Sequence, residues 1–165
     1  MAHKSNFSDE EWKAIMASPM MASTAVTLAD PNGLWGVLKE GMTGARTVLE
    51  ARNDPGANDL IKALVADMET SEGREAAREG LKAELTAKSP TELKDQALAG
   101  LGRVSQILDK KAPGDAVAFK TWLNGVAERV ASAASEGGFL GFGGVKVSDA
   151  EKASLSEIAK TLNVA

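Results

Sequence analysis

Cysteine and tyrosine are absent from the 165-residue chain, and its one histidine, His3, stands near the N-terminus. The lack of cysteine excludes disulfide bonds, a thiolate nucleophile, and zinc or iron–sulfur sites with cysteine ligands. A single terminal histidine leaves no two-histidine metal site and no Ser-His-Asp triad within a folded core. We therefore predict a protein that is not an enzyme and that holds no metal and no cofactor.

Clustered basic charge is also missing. The chain has 19 Lys and Arg against 23 Asp and Glu, which gives a net charge of −4. Proteins that bind the phosphate backbone usually carry a basic stripe, so we expect no nucleic acid partner. The longest uncharged run, residues 14–29, is too short and too polar to span a bilayer. We therefore expect this run to form a buried central helix. Because no signal-peptide pattern precedes it, we expect a cytoplasmic protein.

What the sequence does contain is helical periodicity. Apolar residues recur at a spacing of three or four, as in Leu93, Ala97, Leu101, Val104 and Leu108. No segment alternates apolar and polar residues for long, and no hairpin turn signal is present. We predict an all-α fold, a compact bundle of about seven short helices. It forms one domain over residues 1–165, with residues 1–7 as a flexible tail and residues 137–147 as a glycine-rich apolar loop.

The five prolines and several capping residues indicate where helices begin. In four cases a residue of the N-cap type precedes the proline, at Ser18-Pro19, Asp30-Pro31, Asp54-Pro55 and Ser89-Pro90. Proline suits the first helical position because the N–H that it lacks would be unpaired there. Capping boxes predict two further starts, at Ser8–Glu11 and Ser148–Glu151. Ser71 is a further predicted cap, and Pro113 predicts a turn.

Residues 69–95 are rich in charge, and their apolar stripe narrows to Ala77, Leu81 and Leu85. Such a pattern is typical of an outer helix with a solvated face. A docking surface is the alternative interpretation.

The most unusual segment is Gly-Gly-Phe-Leu-Gly-Phe-Gly-Gly at residues 137–144. Its glycine spacing is not that of a phosphate-binding loop. One interpretation is a loop whose aromatic residues fold back over the core, with the glycines allowing close backbone approach. The other is an apolar hook that contacts a protein partner or a second copy of the chain, since exposed apolar clusters mark interaction sites. The predicted contact residues are then Phe139, Leu140 and Phe142.

Methionine and tryptophan fall in or beside the predicted helical stripes, at Trp12, Trp35, Trp122, Met16, Met20, Met21, Met42 and Met68. Core packing is the expected role, because methionine fills irregular gaps well. The alternative is a pocket for a small apolar ligand between the first and second helices.

Oxygen ligands are concentrated at residues 53–59, Asn-Asp-Pro-Gly-Ala-Asn-Asp. An EF-hand loop starting there would need a glutamate at its twelfth position, where Leu64 or Val65 stands instead. We therefore interpret this segment as a capped turn.

Residues 126–137, together with the Ser-Asp-Ala-Glu-capped segment at 147–162, resemble a half-unit of the tellurite-resistance TerB-like helical family. In that family an Ala-rich helix ending in Ala-Asp-Gly is followed by a Ser-x-x-Glu-capped helix. Here Ser135-Glu136-Gly137 replaces Ala-Asp-Gly, and the glycine-rich loop is inserted before the cap. The resemblance implies a stress-related helical protein whose acidic, cation-binding positions fall on Glu136 and Glu151.

Taken on its residues, the chain is predicted to be a non-catalytic protein–protein interaction or scaffold module. The alternative is a helical protein that binds a small ligand in a Met/Trp-lined apolar pocket.

Overall fold

The structure is a computed structural model that describes residues 3–29, 46–135 and 147–165. Six α-helices are complete in these ranges: α1 (Asp9–Thr27), α2 (Asp59–Met68), α3 (Ser71–Glu84), α4 (Pro90–Lys111), α5 (Pro113–Ser135) and α6 (Asp149–Leu162). Residues 46–50 are also helical, and short 3₁₀ turns cover Lys4–Asn6 and Ala51–Asn53. None of the described residues lies in a β-strand. The all-α prediction is confirmed.

Helix α1 is the central element, since it contacts each of the other five helices. Its side chains Ile15, Met16 and Met21 are completely buried. This confirms the buried central helix predicted from the uncharged run at 14–29. None of the helices in the described ranges is long and apolar enough to cross a membrane.

The helix start predicted at Ser18-Pro19 is wrong, because both residues lie inside α1. A proline within a helix removes the N–H that would bond the carbonyl four residues earlier, here that of Ile15. The Ser18 hydroxyl donates a hydrogen bond of 2.7 Å to this carbonyl, and the site is buried. The serine therefore satisfies the acceptor that Pro19 leaves free, and the helix continues through it.

We expect Ser18→Ala to lower the free energy of unfolding by about 1–3 kcal/mol, because it leaves a buried carbonyl without a donor. Urea denaturation followed by circular dichroism measures this loss. Ser23→Ala is the matched control on the same helix. The Ser23 hydroxyl donates to the Pro19 carbonyl at 2.9 Å, which the Ser23 backbone N–H also reaches, so its loss should change little. Equal losses in the two variants would contradict the role given to Ser18.

The start predicted at Asp54-Pro55 is also wrong. Helix α2 begins at Asp59, and Asn58 is its N-cap, with Oδ1 accepting from the Ile61 N–H at 2.9 Å. Asp54 instead closes a turn, since its Oδ1 accepts from the Gly56 N–H at 2.8 Å. The interpretation of residues 53–59 as a turn is thus retained, but the cap stands four residues later than predicted.

We expect Asn58→Ala to cost about 1–2 kcal/mol, because it removes the cap and also a 3.0 Å bond from Nδ2 to the Asp115 carbonyl of α5. Ser89→Ala should cost about 1 kcal/mol, since the Ser89 hydroxyl caps α4. Asp54→Ala, on an exposed turn, should cost less than about 0.5 kcal/mol. Urea midpoints compare the three variants. A loss for Asp54→Ala as large as that for Asn58→Ala would contradict this assignment of the helix start.

The remaining predicted starts have mixed outcomes. The capping boxes at Ser8 and Ser148 and the cap at Ser89 are confirmed. Helix α3 is capped by Thr70, one residue before the predicted Ser71. The turn predicted at Pro113 is wrong, because Pro113 is the first residue of α5 and only Ala112 separates α5 from α4. Proline suits that first position even without a preceding capping side chain. The start predicted at Asp30-Pro31 lies outside the described residues.

Helix α3 packs closely against α1, and its buried residues are all small, namely Gly73, Ala77 and Gly80. At Gly80 a Cβ atom would lie 2.2 Å from the Lys13 carbonyl oxygen of α1, so only glycine fits. Most charged residues of this helix are exposed. The predicted outer helix with a solvated face is confirmed.

The flexible tail predicted at residues 1–7 is not what the structure shows for residues 3–7. Phe7 is buried against Trp12, with ring centroids 5.9 Å apart. Lys4 Nζ lies 2.8 Å from Asp67 Oδ2, and the Trp12 indole N–H donates to the same oxygen at 2.9 Å. A buried aromatic ring and a shared carboxylate fix this segment. No local sequence pattern indicates that Lys4 pairs with Asp67, 63 positions away.

Candidate functional site

The residues predicted to contact a partner, Phe139, Leu140 and Phe142, lie outside the described residues. So does the glycine-rich loop, except for Val147, which packs against the core. The hook and the folded-back loop therefore both stay predictions.

Most methionine and tryptophan residues with a described position serve the core. Trp12, Met16 and Met21 are buried, and the partly buried Met20, Met68 and Trp122 pack against the same cluster. This confirms core packing for these six residues. Trp35 and Met42 lie outside the described ranges, and the predicted apolar pocket beside the second helix lies partly there too. Trp122 has a further feature, because it also lines a cleft.

Of the two positions that the TerB-like resemblance nominates, only Glu151 lies among the described residues. Glu136 lies outside the described residues. Glu151 is a capping residue whose Oε2 accepts from the Ser148 N–H at 2.7 Å. In the part of the chain that the structure describes, no three His, Cys, Asp or Glu side chains come together as metal ligands.

A cleft lies between α5 and the segment 46–54. It has a volume of about 270 Å³ and is lined by Thr47, Glu50, Ala51, Asn53, Asp54, Trp122, Gly125, Val126 and Arg129. The α5 residues follow the spacing i, i+3, i+4, i+7, which places them on one helix face. Thr47, Glu50, Ala51 and Asp54 repeat that spacing on the opposite wall. The buried side chains Val126 and Ala51 make the inner part of the cleft apolar.

Trp122 is the partly exposed aromatic side chain in the lining of this cleft. Phe119, completely buried one turn earlier, holds the indole in an edge-to-face contact with centroids 5.4 Å apart and planes at 63°. This is a favourable geometry for an aromatic pair. The Trp122 ring is therefore held in place on its buried side by Phe119 and is partly accessible on its other side.

Charged side chains form one rim of the cleft. Glu50 accepts hydrogen bonds from Arg46 Nε at 2.8 Å and from Arg129 at 3.0 Å, one on each carboxylate oxygen. Both arginines are largely exposed. Asp54, across the cleft, accepts only from the Gly56 N–H and has no cationic partner among the described residues.

Sequence reasoning did not find this site. The core stripe that includes Trp122 is confirmed, but its second role in lining a cleft was not predicted, and nothing in the sequence pairs Glu50 with Arg129, 79 positions away. The i, i+3, i+4, i+7 spacing of the lining residues is present in the sequence of both walls. Because most of these residues are small, polar or charged, they do not form the apolar stripe by which an amphipathic helix is identified.

A second charged pair was missed and is structural. Lys120 is almost completely buried on α5, and its Nζ lies 2.6 Å from Asp109 Oδ1 on α4. Because Asp109 is half exposed, the pair sits at the surface end of the contact between two helices that are joined by one residue. It lines no described part of the cleft.

Comparison of the chain with models of protein families, with curated proteins and with solved structures found no match, so no relative assigns a ligand to the cleft.

Proposed function

We propose that this protein is a non-catalytic interaction module that binds a protein partner through the cleft between residues 46–54 and α5. The observation that carries the proposal is the partly exposed Trp122, held by Phe119 over an apolar floor and next to Arg129. Tryptophan and arginine are the residues most often found at the energetic centre of protein interfaces.

The size of the cleft favours a partner's side chain over a free small molecule. Pockets for small ligands usually measure about 300–1,000 Å³ and enclose most of the ligand. At about 270 Å³ the cleft accommodates one anchoring side chain, while the surrounding surface contacts the rest of the partner.

The charges of the cleft support a non-catalytic role. Without His, Cys or Tyr in its lining, acid–base chemistry would depend on a pair of carboxylates. Glu50 is held by two arginines, which leaves Asp54 as one carboxylate without a counterpart. The alternatives from the sequence, a Met/Trp-lined ligand pocket and a stress-related role, stay predictions, as does the contact through Phe139, Leu140 and Phe142.

The proposal is tested by selecting random 12-residue displayed peptides against the immobilised protein. We expect the selected peptides, synthesised and titrated by NMR, to shift the Trp122 indole N–H signal. Trp122→Ala should weaken their binding at least tenfold, as loss of an interface anchor does. Val117→Ser is the matched control, since Val117 is 72% exposed on the same helix and does not line the cleft.

Selected peptides that bind Trp122→Ala as tightly as the unaltered protein would contradict the proposed site. The binding measurement is repeated with Trp122→Phe, which keeps a smaller aromatic ring at this position. This variant separates loss of the anchoring side chain from loss of folding.

A further inference from the structure

Two groups of the cleft are not fully paired among the described residues. The indole N–H of Trp122 has no acceptor there, in contrast to that of Trp12, which donates to Asp67. The Asp54 carboxylate accepts from the Gly56 N–H and forms no ion pair with any described residue. An indole face and an unpaired carboxylate on opposite walls of one cleft are complementary to a positive charge, because the ring's electron density attracts cations.

The arginines do not cancel this preference. Arg46 and Arg129 both donate to Glu50, so an anionic ligand would have to compete with a carboxylate that is already bound. The arginine pair marks one end of the cleft as positive and leaves Asp54 as the negative end. The chain as a whole carries a net charge of −4, which favours encounter with basic partners.

We propose that the cleft binds a lysine or arginine side chain of the protein partner, and this inference rests on the proposed function above. The apolar stem of the side chain lies against the apolar part of the cleft wall, as long basic side chains commonly lie on apolar surface. Its cationic head lies over the Trp122 ring and makes a charge-assisted hydrogen bond to Asp54.

The test uses blocked single residues as probes, namely N-acetyl-arginine amide and N-acetyl-lysine amide, with N-acetyl-norleucine amide and N-acetyl-glutamate amide for comparison. Each probe is titrated into the ¹⁵N-labelled full chain. We expect the two cationic probes to shift the Trp122 indole N–H and Gly56 amide signals. We also expect them to bind about tenfold more tightly than norleucine, which has the stem without the charge.

Asp54→Asn gives the sharpest variant. The asparagine Oδ1 can still accept from the Gly56 N–H and keep the turn, but its negative charge is gone. We expect the affinity for the cationic probes to fall about tenfold, while that for norleucine stays unchanged. Asp95→Asn, an exposed aspartate on α4 that does not line the cleft, is the control for the same change in net charge.

Each contrary outcome has a definite meaning. If norleucine binds as tightly as lysine and arginine, the anchor is apolar; the cation inference is then overturned and the proposed function stands. If glutamate binds best and Arg129→Gln abolishes that binding, the cleft takes an anion, and the inference is again overturned. If no probe shifts Trp122 and no displayed peptide depends on it, both the inference and the proposed function are overturned.

Discussion

Phe119→Ala is expected to lower the free energy of unfolding by about 3–5 kcal/mol. The ring is completely buried, so its removal loses apolar contacts and leaves a cavity beside α1 and the other helices that pack on α5. It also removes the edge-to-face contact that supports Trp122. Because single domains are stable by only about 5–15 kcal/mol, this one change removes a large part of the total.

Urea denaturation followed by circular dichroism measures the effect of Phe119→Ala. Val117→Ala, two residues earlier on the same helix, is the control, since Val117 is 72% exposed and should change stability by less than about 0.5 kcal/mol. A loss below about 1 kcal/mol for Phe119→Ala would show that the ring is not the core contact described above.

Gly80→Ala is expected to destabilise the fold by about 2–3 kcal/mol, although alanine is the better helix former. The added methyl group would lie 2.2 Å from the Lys13 carbonyl oxygen and 2.6 Å from its carbon. These are backbone atoms of α1, so no side-chain rotation relieves the contact and the two helices must separate. The gain in helix propensity, about 1 kcal/mol, offsets only part of that cost.

Gly125→Ala provides the opposite case. Apart from the backbone of its own helical turns, no atom of the described residues lies within 4 Å of a Cβ built at Gly125, which stands in the interior of a helix. This variant should be more stable than the unaltered chain by about 0.5–1 kcal/mol. The prediction for Gly80 is contradicted if both alanine variants are stabilising, because that would mean that α3 does not approach α1 so closely.

The parts of the fold that the sequence predicted are those set by local chemistry. The capping boxes at Ser8 and Ser148 satisfy their own backbone N–H groups within four residues, so their pattern alone identifies them. The periodic stripe from Leu93 to Leu108 likewise indicates one helix face, and four of its members are completely buried, namely Ala97, Leu101, Val104 and Leu108.

The failures come where two local signals compete. Ser18-Pro19 and Asp54-Pro55 both match a helix start, yet the first continues a helix and the second forms a turn. Ser18 bonds backward to the Ile15 carbonyl, whereas Asp54 bonds forward to the Gly56 N–H, as a cap does, but closes a turn there without starting a helix. Sequence spacing does not distinguish these two directions.

The candidate site was harder to predict because it depends on long-range pairing. The face of α5 that carries Trp122 and Arg129 lines a cleft only because residues 46–54 lie opposite it. A single amino-acid sequence does not indicate which two helix faces pack against each other. A charged pair such as Glu50 and Arg129 is therefore found only once the fold is known.

The central position of α1 also affects how the chain is made. Every described helix that covers α1 follows it in the sequence, and the last of them ends at Leu162. At translation rates of about 5–20 residues per second, the apolar residues of α1 leave the ribosome several seconds before α5 and α6 are complete. During that interval Ile15, Met16 and Met21 are available to chaperones or to neighbouring nascent chains. The helix on which the others assemble is synthesised before any of its described partners.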